Sequence, residues 1–223
     1  MKPVLLIWDI DGTLMNSKGI GRRAMNNTFK TLYNIDNGFD KVSMSGRLDY
    51  HIVKNAHMHH NIEGYDVDNF YNMYEEELKK EILKDNSAMV LPGIRDILES
   101  KKDNIFHILG TGNCQVGARL KLDYVGLDHY FTLGGFGDED LDRWEIINKA
   151  YNKAKTHFNK KFDSRDTYVI GDTPYDVECA KKLGFKSIAV STGSHSMDEL
   201  KECDADFLLN ELSLDTIINI ING

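Results

Sequence analysis

Cysteine and proline are scarce in this chain, with three of each in 223 residues. Cys114, Cys179 and Cys203 are odd in number, widely spaced and in no paired-ligand pattern. That argues against a disulfide framework or a zinc site and leaves buried or idle thiols. So few prolines, with no low-complexity tract, argue against a disordered region. No apolar run is long enough to span a bilayer, and the N-terminus carries no secretory pattern. The expectation is a cytoplasmic protein with no membrane partner. Positive charge is also in short supply: Lys and Arg number 27 against 35 Asp and Glu, a net charge of −8. Such a balance disfavours non-specific nucleic-acid binding. It does not exclude a small phosphorylated metabolite, because a bound metal inverts the local field.

What is present is enough apolar sequence for a core. Hydrophobic residues make up 41% and aromatics 10% of the chain, and its length suits one large domain or a domain with a smaller insert. A first strand is expected at about residues 3–8. From about Asn16 to Ala88 the apolar spacing is helical, with helices expected at Gly19–Leu32, Asp49–His57 and Asp68–Leu83. From Met89 onward strand and helix patterns alternate. Strands are expected at Ile105–Leu109, Tyr130–Leu133, Thr167–Ile170, Ser187–Val190 and Phe207–Leu209. Helices are expected at Ile94–Glu99, Gln115–Tyr124, Arg143–Phe158, Tyr175–Leu183 and Met197–Cys203. Alternation of this kind implies right-handed crossovers and a parallel sheet. The fold class is therefore α/β: a Rossmann-like parallel-sheet core formed by residues 1–15 and 89–223, with an inserted all-helical cap at 16–88.

The chemistry-bearing residues sit where strands end. Asp9-Ile10-Asp11-Gly12-Thr13-Leu14 follows the apolar run Val4–Trp8. Open α/β sheets bind ligands at this edge. Two carboxylates one residue apart share a side of an extended chain and repel unless a cation or proton intervenes. A hard divalent cation such as magnesium (Mg2+) suits oxygen ligands, and Asp is a nucleophile toward phosphoryl groups. Gly12 lets the backbone approach an anion, and Thr13 offers a hydroxyl and an N–H. Taken alone, Asp-Gly also reads as an Asx turn. Thr111-Gly112-Asn113 ends a second apolar strand and can offer a hydroxyl and backbone donors to phosphate, or be a plain turn. Gly171-Asp172-Thr173-Pro174-Tyr175-Asp176 ends a third. Asp172 can reach the same cation, and Asp176 can bind a metal water or orient the ligands. The alternative is an N-capping Asp172 with Asp176 on the surface.

Asp9-Ile10-Asp11-Gly12-Thr13-Leu14 resembles the first motif of the haloacid dehalogenase (HAD) superfamily. Thr111-Gly112-Asn113 resembles its second, and Gly-Asp-x-x-x-Asp at 171–176 its fourth. The resemblance implies Asp9 as nucleophile and Asp11 as general acid/base. It also implies magnesium held by Asp9, the main-chain carbonyl of Asp11 and Asp172. A second Asp in the first motif favours phosphatase over dehalogenase chemistry within the family. The third motif departs from the pattern: no Lys-Pro follows Gly134–Asp142. Arg143 stands about where the Lys is expected, with Lys121 in the preceding helix as a second candidate, and an Arg is not a geometric replacement for Lys. The stretch from Thr111 through Phe131 to Arg143 is similar to a phosphoglycolate-phosphatase-like branch.

In the helical insert, Gly46-Arg47 could bind an anionic substrate or simply start a helix. His57, His59 and His60 could form a surface metal site, but no Cys or carboxylate completes it, so they read as a solvated helix end, and Glu75-Glu76-Glu77 as a solvated face. The expected activity is a magnesium-dependent phosphomonoester hydrolase. Its alternatives are a sugar-phosphate mutase or other phosphotransferase, and a non-catalytic binding protein of the same fold.

Overall fold

A computed structural model describes residues 2–223. The chain runs through β1 (Val4–Trp8), β2 (Met15–Asn16), α1 (Ile20–Tyr33), α2 (Asp49–His59), α3 (Val67–Lys84) and β3 (Met89–Val90). It continues with α4 (Ile94–Leu98), β4 (Ile105–Gly110), α5 (Gln115–Tyr124), β5 (Gly134–Gly135), α6 (Arg143–His157) and β6 (Thr167–Gly171). Then come α7 (Pro174–Leu183), β7 (Lys186–Val190), α8 (Met197–Lys201), β8 (Phe207–Leu209) and α9 (Leu214–Asn222).

The six-stranded sheet is parallel, in the order β5-β4-β1-β6-β7-β8. Every residue of β1 is buried, because it is the inner strand with helices on both faces, where a continuous apolar run is required. Its side chains alternate between those faces. Leu6 and Trp8 pack with Ile94, Ile97, Ala118, Leu122 and Ile217 of α4, α5 and α9. Leu5 and Ile7 pack with Ile147, Ala150 and Ala180 of α6 and α7. The strand order reverses at β1, and crevices form at such reversals above the carboxyl ends of strands.

Helices α1, α2 and α3 lie between β2 and β3 in sequence and surround their own apolar cluster, with Phe29, Phe39, Phe70 and Tyr74 fully buried. The antiparallel pair β2–β3 closes the base of this segment. It was not expected, since two residues per strand leave no periodicity to read. No helix among the described residues is long and apolar enough to cross a membrane.

Several elements differ from expectation. The strand expected at Tyr130–Leu133 is a short 3-10 turn at Asp128–Tyr130 followed by β5 at Gly134–Gly135. Phe131 is spent on the core, and the strand carries glycine because a Cβ at 135 would lie 2.4 Å from the Ile146 carbonyl oxygen. Helix α9 was missed altogether. His57 is not solvated: it is fully buried, bonded to the Val53 carbonyl and the Tyr33 hydroxyl and stacked on Tyr65. Glu77 is also buried, paired with Lys80 at 2.8 Å.

Candidate active site

A cleft of about 440 Å³ opens where the carboxyl ends of β1, β4 and β6 meet the helical segment. Asp9, Asp11, Gly12, Gly112, Asn113, Arg143 and Asp172 line it from the sheet side. Lys18, Arg22, Arg47 and Tyr74 line it from the helical side.

Three carboxylates gather at the floor. One oxygen each of Asp9, Asp172 and Asp176 lie within 4.8 Å of one another, and all three residues are buried. Burial first, then the neighbouring carboxylates, raise Asp172 to about 8. Burial likewise raises Asp9 to about 6, against the opposing pull of Arg143. Such groups are short of positive charge. Glycines let the chain close around them: a Cβ at Gly12 or Gly193 would strike the Asp172 carboxyl, at 2.6 and 1.7 Å. Asp172 accepts from the Ser194 N–H at 3.2 Å through Oδ2, while its buried Oδ1 has no partner among the described residues. An orphaned carboxylate oxygen beside two further carboxylates fits a hard divalent cation, for which the donors would be Asp9, Asp172 and main-chain oxygen.

Asp176 has both oxygens occupied. Oδ1 accepts from Arg143 at 2.7 Å, and Oδ2 accepts from the Thr173 hydroxyl at 2.7 Å in a capping box that starts α7. It therefore anchors Arg143, and the helix is capped by Thr173 rather than Asp172. Arg143 begins α6, after a capping box at Asp142. Its guanidinium is buried and also donates to Asp9 Oδ1 at 3.0 Å and to the Gly46 carbonyl at 3.1 Å. Asp140, in the acidic loop before α6, pairs with His51 and Lys54.

Asp11 points to a different cation. Lys121, on the buried face of α5 with Gly117 and Ala118, donates to Asp11 Oδ2 at 2.7 Å and to Asn113 Oδ1 at 2.5 Å. Burial alone would raise Asp11, but Lys121 outweighs it and holds the carboxyl below its ordinary range. Lys121 thus reaches the site from within a helix; from the sequence it stands second to Arg143, because a mid-helix residue has no loop to bring it forward.

Thr111 is buried; its hydroxyl accepts from the Asn113 amide group at 2.9 Å and helps to lower Asp9. Thr13 does not line the cleft. It is fully buried, and its N–H turns back to the Ile10 carbonyl at 3.3 Å because residues 10–15 fold into a tight turn. Arg47 is exposed on the rim. Its neighbours tie the two walls together: Asp49 N–H donates to the Gly112 carbonyl at 2.7 Å, and Tyr50 N–H to the Gly137 carbonyl at 2.9 Å. The Asp49 carboxyl accepts from Cys114 N–H at 2.8 Å, and burial raises it to about 6. Thr192-Gly193-Ser194 is not among the expected site residues, yet its Thr192 hydroxyl donates to the Gly12 carbonyl at 2.6 Å. A Gly between two hydroxyl residues after β7 was the only signal there.

Comparison with known proteins agrees with this fold. The family model described as haloacid dehalogenase-like hydrolase matches residues 6–190. A Clostridium perfringens protein provisionally named pyrophosphatase PpaX is 22% identical over 215 residues, 92% of either chain. A hydrolase from Pseudomonas syringae superposes with a TM-score of 0.70 at 18% identity, covering 98% of both chains. CbbY from Rhodobacter sphaeroides, solved in complex with phosphate, gives 0.70 at 17% identity over 94% of both. At such identities the solved structures establish the fold.

Proposed function

The chain belongs to the haloacid dehalogenase-like hydrolases, and from that premise we propose that it is a magnesium-dependent phosphatase acting on a small phosphomonoester through an aspartyl-phosphate. The observation that carries this reading is the buried Asp9–Asp172–Asp176 cluster closed by Arg143 at a sheet edge, with a second, separately held carboxylate at Asp11. One carboxylate serves bond formation at phosphorus and the other serves proton transfer.

Asp9 attacks phosphorus in line: an Asp9 oxygen–phosphorus bond forms and the ester phosphorus–oxygen bond breaks. Asp11 delivers a proton to the departing oxygen. Lys121 keeps Asp11 ionised in the free protein, so the proton arrives with the substrate; a phosphate monoester has its second pKa near 6 and carries one as the monoanion. Arg143 and the backbone donors of Gly112 and Asn113 hold the charge that develops on the phosphoryl oxygens. Water then attacks the aspartyl-phosphate, giving its proton to Asp11, and Asp9 is released with inorganic phosphate. A bound magnesium ion would be held by Asp9, Asp172 and the Asp11 carbonyl, and would offset the charge of phosphate against carboxylate. Residues 16–88 act as a cap, with the Asp49–Gly112 and Tyr50–Gly137 contacts holding it over the site and excluding bulk water.

The test is phosphate release from p-nitrophenyl phosphate and a panel of phosphorylated metabolites, with magnesium and with chelator. Activity that needs magnesium and falls at least about 10⁴-fold in Asp9→Asn supports the reading. A folded protein that releases no phosphate from any panel member, or an Asp9→Asn variant with wild-type turnover, refutes it.

A further inference from the structure

Two cations enter the sheet side of the cleft, and they serve different carboxylates. Arg143 binds Asp9 and Asp176. Lys121 binds Asp11 and Asn113. The second arrangement is a clamp. Asp11 Oδ2 accepts from Lys121 at 2.7 Å and from the Asn113 side-chain amide at 2.9 Å, whereas buried Oδ1 meets no hydrogen-bond geometry among the described residues. Asn113 is itself fixed, accepting from Lys121 at 2.5 Å and donating to Thr111 at 2.9 Å. Lys121 therefore sets the Asp11 carboxylate both directly and through Asn113.

The surroundings are shaped for this lysine. Its side chain is only 6% exposed. Burial disfavours its charge, but Asp11 and Asp49 outweigh that and keep it an ammonium ion. The tip passes Gly21 in the first turn of α1, where a Cβ would sit 3.1 Å from Nζ. A buried ammonium in a gap left open by a helical glycine is costly on both counts, and its placement beside one carboxylate gives that cost a use.

We propose that Lys121 is a positioning residue for proton transfer: by clamping one oxygen of Asp11 it fixes the direction from which Asp11 serves the leaving oxygen. This rests on the phosphatase reading, in which Asp11 is the acid/base. A proton-transfer role has a signature that phosphate binding and folding lack. An activated leaving group departs with little need of a proton, whereas a poor one needs it. The value of kcat/KM covers only the steps through release of the alcohol, so the later attack by water does not obscure the comparison.

Phenyl phosphate and p-nitrophenyl phosphate are close in shape and differ in leaving group, phenol being the poorer. In Lys121→Met, kcat/KM should fall on the order of 10²-fold for phenyl phosphate and about tenfold less than that for the p-nitrophenyl ester. Gly21→Ala, which favours the helix while pressing on the Lys121 tip, should show the same bias at a few-fold and carries the test if Lys121→Met does not fold. Equal effects on both esters, in whichever variant folds, overturn the assignment, since a cation that only binds phosphate or supports the fold affects both alike. If the wild-type protein cleaves neither ester nor any phosphorylated metabolite, it is the phosphatase reading that fails.

Discussion

The sheet wall of the cleft buries its charges in pairs, and the helical wall leaves its cations in water. On the sheet side Arg143 meets Asp9 and Asp176 at 3.0 and 2.7 Å, and its side chain is 9% exposed. On the helical side Lys18, Arg22 and Arg47 are exposed, and none has an acidic partner among the described residues; Arg22 reaches only the Phe39 and Val42 carbonyls at 3.5 and 3.4 Å. Buried pairs fix geometry, because breaking one strands a charge in low dielectric. Exposed cations add attraction but little geometry. The arrangement suits a wall that makes and breaks bonds facing one that selects what enters.

The largest effect should come from breaking a sheet-wall pair. Arg143→Ala leaves Asp9 and Asp176 buried without their cation, so it should cost about 3–5 kcal/mol of stability, each kcal/mol lowering Tm by roughly 2–4 °C. Activity should fall on the order of 10²–10³-fold. Thermal unfolding and kcat/KM on p-nitrophenyl phosphate check both. A stable variant with near wild-type activity would mean that this wall is no more committed than the other.

The same contrast explains what could be read from sequence. Asp9, Asp172 and Thr111 each follow an apolar strand, and a strand's end is legible because the hydrophobic run stops there. Arg143 was legible as the residue opening a helix after an acidic loop. Lys121 ranked behind it because its partner, Asp11, is 110 residues away, and a buried lysine in a helix looks like any amphipathic position until the fold supplies the neighbour. Thr13 failed in the opposite sense: the motif advertised its hydroxyl, but the tight turn after Asp11 buries it. His57 and β5 were both misplaced because local pattern gave way to packing: the polarity of His57 to contacts with Phe29, Tyr33 and Phe70, and the strand propensity before β5 to burial of Phe131 and the close approach of Ile146.

A second perturbation acts on the seam between the walls. A Cβ at Gly112 would lie 2.2 Å from the Arg47 carbonyl oxygen, so Gly112→Ala must push the helical wall away from the sheet. The amides of Asp49 and Tyr50, which donate across the seam, should exchange with solvent faster, and activity should drop about 10- to 100-fold. Unchanged exchange at those amides would show that the walls are not held together there.

Acidity tests the carboxylates on the sheet wall that Arg143 does not fully neutralise. Asp172, at about 8, and Asp9, at about 6, lie above the ordinary 3.8 in the metal-free protein. Carboxyls raised in this way favour the folded state fully below their ordinary range, and that contribution is lost as pH rises through the raised values. Metal-free stability should therefore decline between about pH 4 and pH 8. Magnesium should restore it at the upper end, because a cation replaces the proton there. Magnesium affinity should rise with pH over the same window, up to about tenfold per unit where one proton is displaced. Calorimetry in buffers of different ionisation enthalpy measures the released proton, and affinity flat from pH 5 to 8 would contradict the assignment of Asp172.

The smallest effect belongs to the exposed rim, and its smallness is the point. Arg47 pairs with no carboxylate among the described residues, so Arg47→Ala strands no charge there and should leave Tm unchanged. If the rim attracts the substrate anion without shaping the reaction, the loss appears in KM and not in kcat. An exposed charge contact contributes about 0.2–1 kcal/mol, which is a rise in KM of about 1.4- to fivefold. That rise should shrink as salt is raised from 0.01 to 1 M, over which screening shortens from about 30 Å to 3 Å. The Arg143→Ala loss should persist in the same titration, because a buried pair is screened far less. A fall in kcat for Arg47→Ala that survives high salt would place Arg47 with the reacting groups and erase the division between the two walls.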